Sequence, residues 1–235
     1  ACTPRDLYWQ SGERVSANLH AISLTGHALD WYSSVAHEVR ALADLDGDGK
    51  VELVLVGEWM PITVFTWEKG SWRNSTAQFG LGSTVGFWKR LYLGDLNGDG
   101  KIDLLAGNGG QNSRLRTSTE RPLRMAINDF DQNGSIEQIL HHHESGKSIP
   151  WVLKNSLLKQ IPSLKKQLLT YAAYKDKTLE ELFPQSVWAN SLILQADWME
   201  TTIWINQGNG KMAQEALPAE VQYAPVHAIS VLPRP

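Results

Sequence analysis

One acidic loop appears three times in this chain, each time between two apolar runs. Residues 39–53, 90–104 and 124–138 align without gaps. Each copy carries oxygen-bearing side chains at loop positions 1, 3, 5 and 9 and glycine at position 6. In the first copy these are Asp44, Asp46, Asp48 and Glu52 with Gly49; in the second, Asp95, Asn97, Asp99 and Asp103 with Gly100. In the third they are Asp129, Asp131, Asn133 and Glu137 with Gly134. Ten of the chain's 25 Asp and Glu residues fall in these loops. Carboxylates crowded this closely repel one another unless a cation lies among them. Calcium, a hard cation taking about six to eight oxygen ligands, suits the supply better than magnesium or any softer metal. The expectation is about three Ca2+ per chain. Glycine at position 6 permits the sharp turn around the ion, because a positive φ costs it little. Position 7, which is Lys50, Lys101 and Ser135, then offers a backbone carbonyl. The first copy has four carboxylates and the others three, so the first is expected to bind most tightly.

Two other readings compete. Asp, Asn and Gly cluster in ordinary turns, but a threefold repeat with fixed spacing asks for more than a turn. EF-hand loops begin the same way, yet they need a bidentate Glu at position 12 and flanking helices. Position 12 here is Leu55, Ala106 and Leu140. The flanks, such as Val-Glu-Leu-Val-Leu-Val, are short, apolar and β-branched, and read as buried strands.

A repeated strand–loop–strand unit predicts an all-β repeat fold. After the first loop, the run 61–67, a turn at 68–71 and a return strand at 72–76 give four strands in about 40 residues, the content of one propeller blade. The second blade is expected to be compact, with tight turns at 107–112. Residues 7–15 read as a hairpin, and 224–230 as the first strand of a further blade. The expected fold is a partial β-propeller of about four blades spanning residues 1–235 as a single region. Its open edges invite self-association.

The Asp-Leu-Asp-Gly-Asp-Gly-Lys-Val-Glu-Leu pattern resembles the FG-GAP/VCBS repeat of integrin-α-type propellers and of many bacterial extracellular proteins. Stretches 56–65, 146–150 and 218–226 resemble bacterial relatives of cartilage acidic protein, which often carry a C-terminal ASPIC/UnbV domain; no such domain is expected within residues 1–235. The resemblance implies a propeller, calcium at the loops and an extracellular, periplasmic or outer-membrane address. It implies no particular protein or glycan ligand.

Residues 151–184 change character. Leu157, Leu158, Ile161, Leu164, Leu168, Leu169, Tyr171, Leu179, Leu182 and Phe183 recur at helical spacing. Thr178 with Glu181 reads as a capping box, and Pro184 closes the run. This predicts two or three short helices inserted in the third blade, with strands resuming at 191–196 and a hairpin at 202–212. Lys154, Lys159, Lys165, Lys166, Lys175 and Lys177 read as a solvated helix face. Of His141, His142 and His143, the first and last share a strand face, and they read as ordinary strand residues.

The formal net charge of -3 gives no global attraction to nucleic acid. No apolar run approaches the roughly 18 residues of a membrane span. Cys2, the single cysteine, reads as a plain thiol. The ten tryptophans suit either a core or a carbohydrate platform. No nucleophile elbow, zinc-protease or phosphate-loop motif appears, so a binding, adhesion or assembly scaffold is expected rather than an enzyme. The alternatives are the propeller domain of a secreted polysaccharide-acting enzyme and a subunit of a surface filament.

Overall fold

The computed structural model describes residues 7–8, 14–15, 39–118 and 120–232. Cys2 lies outside them. The fold is all-β with a few short helices. The chain divides into two compact units, Ala1–Arg114 with Met199–Pro235, and Leu115–Trp198.

Unit 1 holds two four-stranded antiparallel sheets. The first is the expected meander: β3 (Val39–Ala43), β4 (Glu52–Val56), β6 (Thr63–Glu68) and β7 (Ser71–Asn74), in that order. All five residues of β4 are buried, as befits an almost continuous apolar run with both faces covered. Leu53, Leu55, Met60 and Phe65 form a core that Leu42 and Trp72 flank. Between β4 and β6 the chain makes the short strand β5 (Glu58–Met60), which pairs with β8 (Gly86–Phe87). Short strands β1 (Leu7–Tyr8) and β2 (Arg14–Val15) pair as the expected N-terminal hairpin.

The second sheet corrects the expectation of a compact blade. Strands β9 (Arg90–Gly94) and β10 (Asp103–Gly107) flank the second loop. Their sheet is completed by β15 (Thr202–Gly208) and β16 (Lys211–Ala216), in the order β16-β15-β10-β9. Leu104 faces Trp204 and Leu105 faces Ile203 across the β10–β15 pair. The hairpin at 202–212 is therefore the second half of this sheet, and all of unit 2 intervenes in sequence between its halves.

The segment 224–230 forms no strand, which corrects a second expectation. It follows a short 3-10 turn, Ala219–Gln222, and this C-terminal segment straps across the glycine-rich loop after β10. Gln111 N–H donates to the Gln222 carbonyl at 2.7 Å, and Val226 N–H to the Asn108 carbonyl at 3.0 Å. The Gln222 side chain, buried, accepts from Thr201 N–H and donates to the Thr201 carbonyl, both at 2.8 Å. Strand pairing is lost here because the strap's polar groups are used on the loop instead. The approach is close enough to demand glycine. A Cβ on Gly110, whose φ is +75°, would stand 2.9 Å from the carbonyl oxygens of both Ala224 and Gln222. Gly110→Ala is expected to cost about 2–3 kcal/mol, from the left-handed backbone and from displacement of the strap. Urea unfolding would read the loss, and an unchanged midpoint would refute the strap's role.

Unit 2 holds the third repeat in a different strand order. Strands β11 (Leu123–Asn128), β12 (Glu137–Glu144) and β13 (Lys147–Pro150) run in sequence, and β14 (Leu192–Ala196) returns to the far side of β11. In unit 1 the strands that precede the loops, β3 and β9, are sheet edges; β11 is interior. The described residues thus form three four-stranded and two two-stranded open sheets, not about four uniform blades, and no closed propeller.

The helices lie between β13 and β14, where an insertion was expected. They are α1 (Lys154–Gln160), a 3-10 turn (Pro162–Lys166), α2 (Tyr171–Tyr174), α3 (Leu179–Leu182) and α4 (Gln185–Trp188). The Thr178–Glu181 capping box starts α3. Leu157, Ile161, Leu164, Leu168, Leu179, Leu182 and Phe183 pack with Ala126, Phe130 and Ile139 into one core. Lys154 departs from the solvated face: it is buried, its ammonium donates to the Leu168 carbonyl at 3.2 Å and lies 5.4 Å from the Tyr171 ring centre. Among the described tryptophans, only Trp67 is exposed. Trp88 and Trp204 meet edge to face at 5.5 Å in the interior, which assigns them to the core.

Candidate metal loops

All three loops share one hydrogen-bonded scaffold. The position-1 carboxylate accepts from the N–H of position 6: Asp44 from Gly49 at 2.9 Å, Asp95 from Gly100 at 2.8 Å and Asp129 from Gly134 at 2.8 Å. The other oxygen of that carboxylate accepts from position 4 in the first two copies, at Gly47 and Gly98, and from position 5, Asn133, in the third. Position 5 accepts from the N–H of position 7, so Asp48, Asp99 and Asn133 each hold the next turn at 2.8–2.9 Å. The chain is wound around its own acidic side chains.

Two left-handed residues per loop, both glycine in the first two copies, make this winding feasible. Gly49, Gly100 and Gly134 have φ of 84°, 82° and 88°. Position 4 is also left-handed, with Gly47 at 79° and Gly98 at 85°. In the third copy Gln132 takes the same conformation at 57°, a backbone state unfavourable to a residue with a side chain. Position 4 thus needs the same left-handed freedom as position 6, and Gly47 and Gly98 are its signal in the sequence.

Position 9 has a second task. Glu52 Oε2 accepts from Leu45 N–H at 2.7 Å, Asp103 Oδ2 from Leu96 N–H at 2.8 Å and Glu137 Oε2 from Phe130 N–H at 2.9 Å. All three carboxylates are buried. Each latches the strand after the loop to position 2. The signal for this lies in the sequence: position 2 is always a bulky apolar residue, and Leu45 and Phe130 are buried in the core while Leu96 is partly buried, which turns the N–H inward.

Charge is poorly balanced around these latches. Burial pushes the Glu52 carboxyl up to about 6, and Asp46, Asp44 and Asp48 add to the rise against the opposing Leu45 N–H bond. Glu137 is raised in the same way, by burial and then by Asp131 and Asp129. Position 7 acts oppositely in the first two copies. The Lys50 ammonium bonds Asp48 Oδ2 at 2.6 Å and holds that carboxyl below its usual range, and Lys101 does the same to Asp99 at 2.7 Å. The third copy has Ser135 there and no lysine.

Three carboxylates converge in two of the loops. Ligand oxygens of Asp44, Asp46 and Asp48 lie within 4.8 Å of one another, as do those of Asp129, Asp131 and Glu137. No such trio forms in the second loop, where Asn97 stands at position 3 and Asp103 is committed to two backbone N–H groups. Glu52 likewise stays with Leu45 outside the first trio. In the third loop, Asp131 Oδ1 is buried with no hydrogen-bond partner. An acceptor oxygen left in that state fits a cation as its partner, and the all-oxygen donor set fits a hard one. No trio among the described residues includes a histidine. His141 instead lies edge-on to Trp188 at 5.7 Å.

Residues 44–106 match the family model of the FG-GAP-like repeat. The match runs from the first residue of the first loop through the second loop into β10, and leaves out β3 and the third loop. No curated protein and no solved structure matches the chain. The chain is thus an all-β protein in which residues 44–106 are similar to an FG-GAP-like repeat.

Proposed function

We propose that this chain is a calcium-binding, β-propeller-like module that acts outside the cytoplasm as a binding, adhesion or assembly scaffold, and not as an enzyme. The observation that carries the reading is the shared scaffold of the three loops. In each, the N–H of the position-6 glycine holds one oxygen of the position-1 carboxylate, and in the first and third loops that carboxylate lies among two others within 4.8 Å. The match to an FG-GAP-like repeat supports it. The residues that would hold the ions are Asp44, Asp46, Asp48 and Glu52; Asp95, Asn97, Asp99 and Asp103; and Asp129, Asp131, Asn133 and Glu137, with the carbonyls of Lys50, Lys101 and Ser135. Calcium supplies positive charge that offsets the carboxylate repulsion; the chain supplies the pre-wound loop. Each loop joins two strands of one sheet, so filling it would stiffen a sheet rather than create a reactive centre. No helix among the described residues is long and apolar enough to cross a membrane.

Thermal melts of the chelated protein, with and without added calcium, test this reading. Binding to the folded state alone raises stability by about 3 kcal/mol per site at a hundredfold excess over Kd. The expected result is a rise in Tm with calcium that Asp131→Ala diminishes. Identical melts with calcium and with chelator would refute it.

A further inference from the structure

Asn206 lies far from every loop in sequence, yet its side chain reaches two of them. It stands on β15 and is 2% exposed. Its Nδ2 donates to the Leu45 carbonyl at 2.7 Å and to the Ile102 carbonyl at 3.0 Å. Its backbone N–H donates to Asp103 Oδ1 at 2.9 Å, and its own Oδ1 accepts from Gly208 N–H at 2.8 Å. Both side-chain donors and the side-chain acceptor are therefore engaged, in a place where water does not compete.

The groups it touches belong to the loops themselves. Leu45 is position 2 of the first loop, between Asp44 and Asp46. Its N–H is held by Glu52 and its carbonyl by Asn206, so this peptide is gripped on both sides. Asp103 is position 9 of the second loop. It is fully buried, with Oδ2 on Leu96 N–H and Oδ1 on Asn206 N–H. A continuous chain of hydrogen bonds thus runs from Glu52 through Leu45, Asn206 and Asp103 to Leu96, buried as far as Asp103 and part-buried at Leu96. All of it lies within unit 1. Buried networks of this kind hold their members in one arrangement, and shifting one member disturbs the rest.

We propose that Asn206 is a positioning residue that couples the first two loops, so that calcium in either strengthens binding in the other. The inference rests on the proposed reading of the loops as calcium sites. It explains why a second loop with fewer converging carboxylates would still fill: its position-9 latch is set by the first loop through Asn206. Coupling between sites is reciprocal, and typical values correspond to about 5- to 150-fold in affinity.

The test is calcium titration by calorimetry, with the third loop disabled by Asp131→Ala. Adding Asp46→Ala leaves only the second loop. The expected result is that its affinity falls about fivefold or more compared with the same loop beside an intact first loop. Repeating the pair with Asn206→Ser is expected to abolish that difference. Destabilisation alone would lower Tm without linking the two affinities, so the coupling separates positioning from support. An unchanged second-loop affinity on disabling the first would overturn the proposal, and that comparison leaves Asn206 intact. A drop of equal size with and without Asn206→Ser would overturn it too. Calcium failing to bind the unaltered chain would overturn the loop reading as well, whereas loops that fill independently overturn this inference alone.

Discussion

Lowering the pH from 7 to 4 is expected to remove about 3 kcal/mol from the stability of unit 2 through His141. The ring is 1% exposed, and neither nitrogen has a hydrogen-bond partner of good geometry. Burial pushes its pKa down to about 4 from the ordinary 6.5. Arg124, its cross-strand neighbour on β11, and His143 on its own strand add to the depression; the His142 backbone and Glu180 on α3 oppose it. An unfolded chain takes up this proton near pH 6.5 and the folded one only near pH 4. The stabilisation is therefore full above 6.5 and is lost as pH falls through the folded value. Urea unfolding at several pH values, followed by the fluorescence of unit 2, measures it. His141→Phe, which keeps a ring against Trp188, is expected to flatten the profile between pH 6.5 and 4. An equally steep profile in that variant would assign the acid sensitivity elsewhere.

Asp103→Ala is expected to cost about 3–5 kcal/mol even without calcium. The substitution strands the buried Asn206 N–H and the part-buried Leu96 N–H. Asp99 lies on the same loop but outside, paired with Lys101. Asp99→Ala is expected to weaken calcium binding while leaving cation-free stability nearly unchanged. Chemical unfolding of both variants in chelator distinguishes the two roles. Equal losses would mean that position 9 is no more a latch than position 5.

The contrast explains what the sequence discloses. Loop chemistry is local: five spaced residues set turn and charge together, so the winding of the three loops and the strands beside them are legible. The first sheet was legible too, because its four strands follow one another through short turns. The second sheet was not. Nothing in Leu104 or Leu105 says that their partners are Trp204 and Ile203, since pairing across so long an insertion is not set by local residues. The strand order around β11 was hidden for the same reason. Residues 224–230 carry apolar residues like a strand, yet Gly107 and Gly110 leave room for close approach, and backbone groups that would have paired are drawn to that loop. Position 9 looked like a ligand and nothing else. Its latch depends on burial of position 2, which appears only when Leu45, Leu96 and Phe130 are placed in three dimensions. Lys154 was read with its neighbours by charge alone; the carbonyl of Leu168 is what draws it inward.

Calorimetric titration of the chelated full chain with calcium measures the central claim directly. Saturable binding of about three ions per chain, falling to two when Asp131→Ala disables the third loop, is the predicted result. Heats that never saturate, or a stoichiometry that the substitution leaves unchanged, would contradict it.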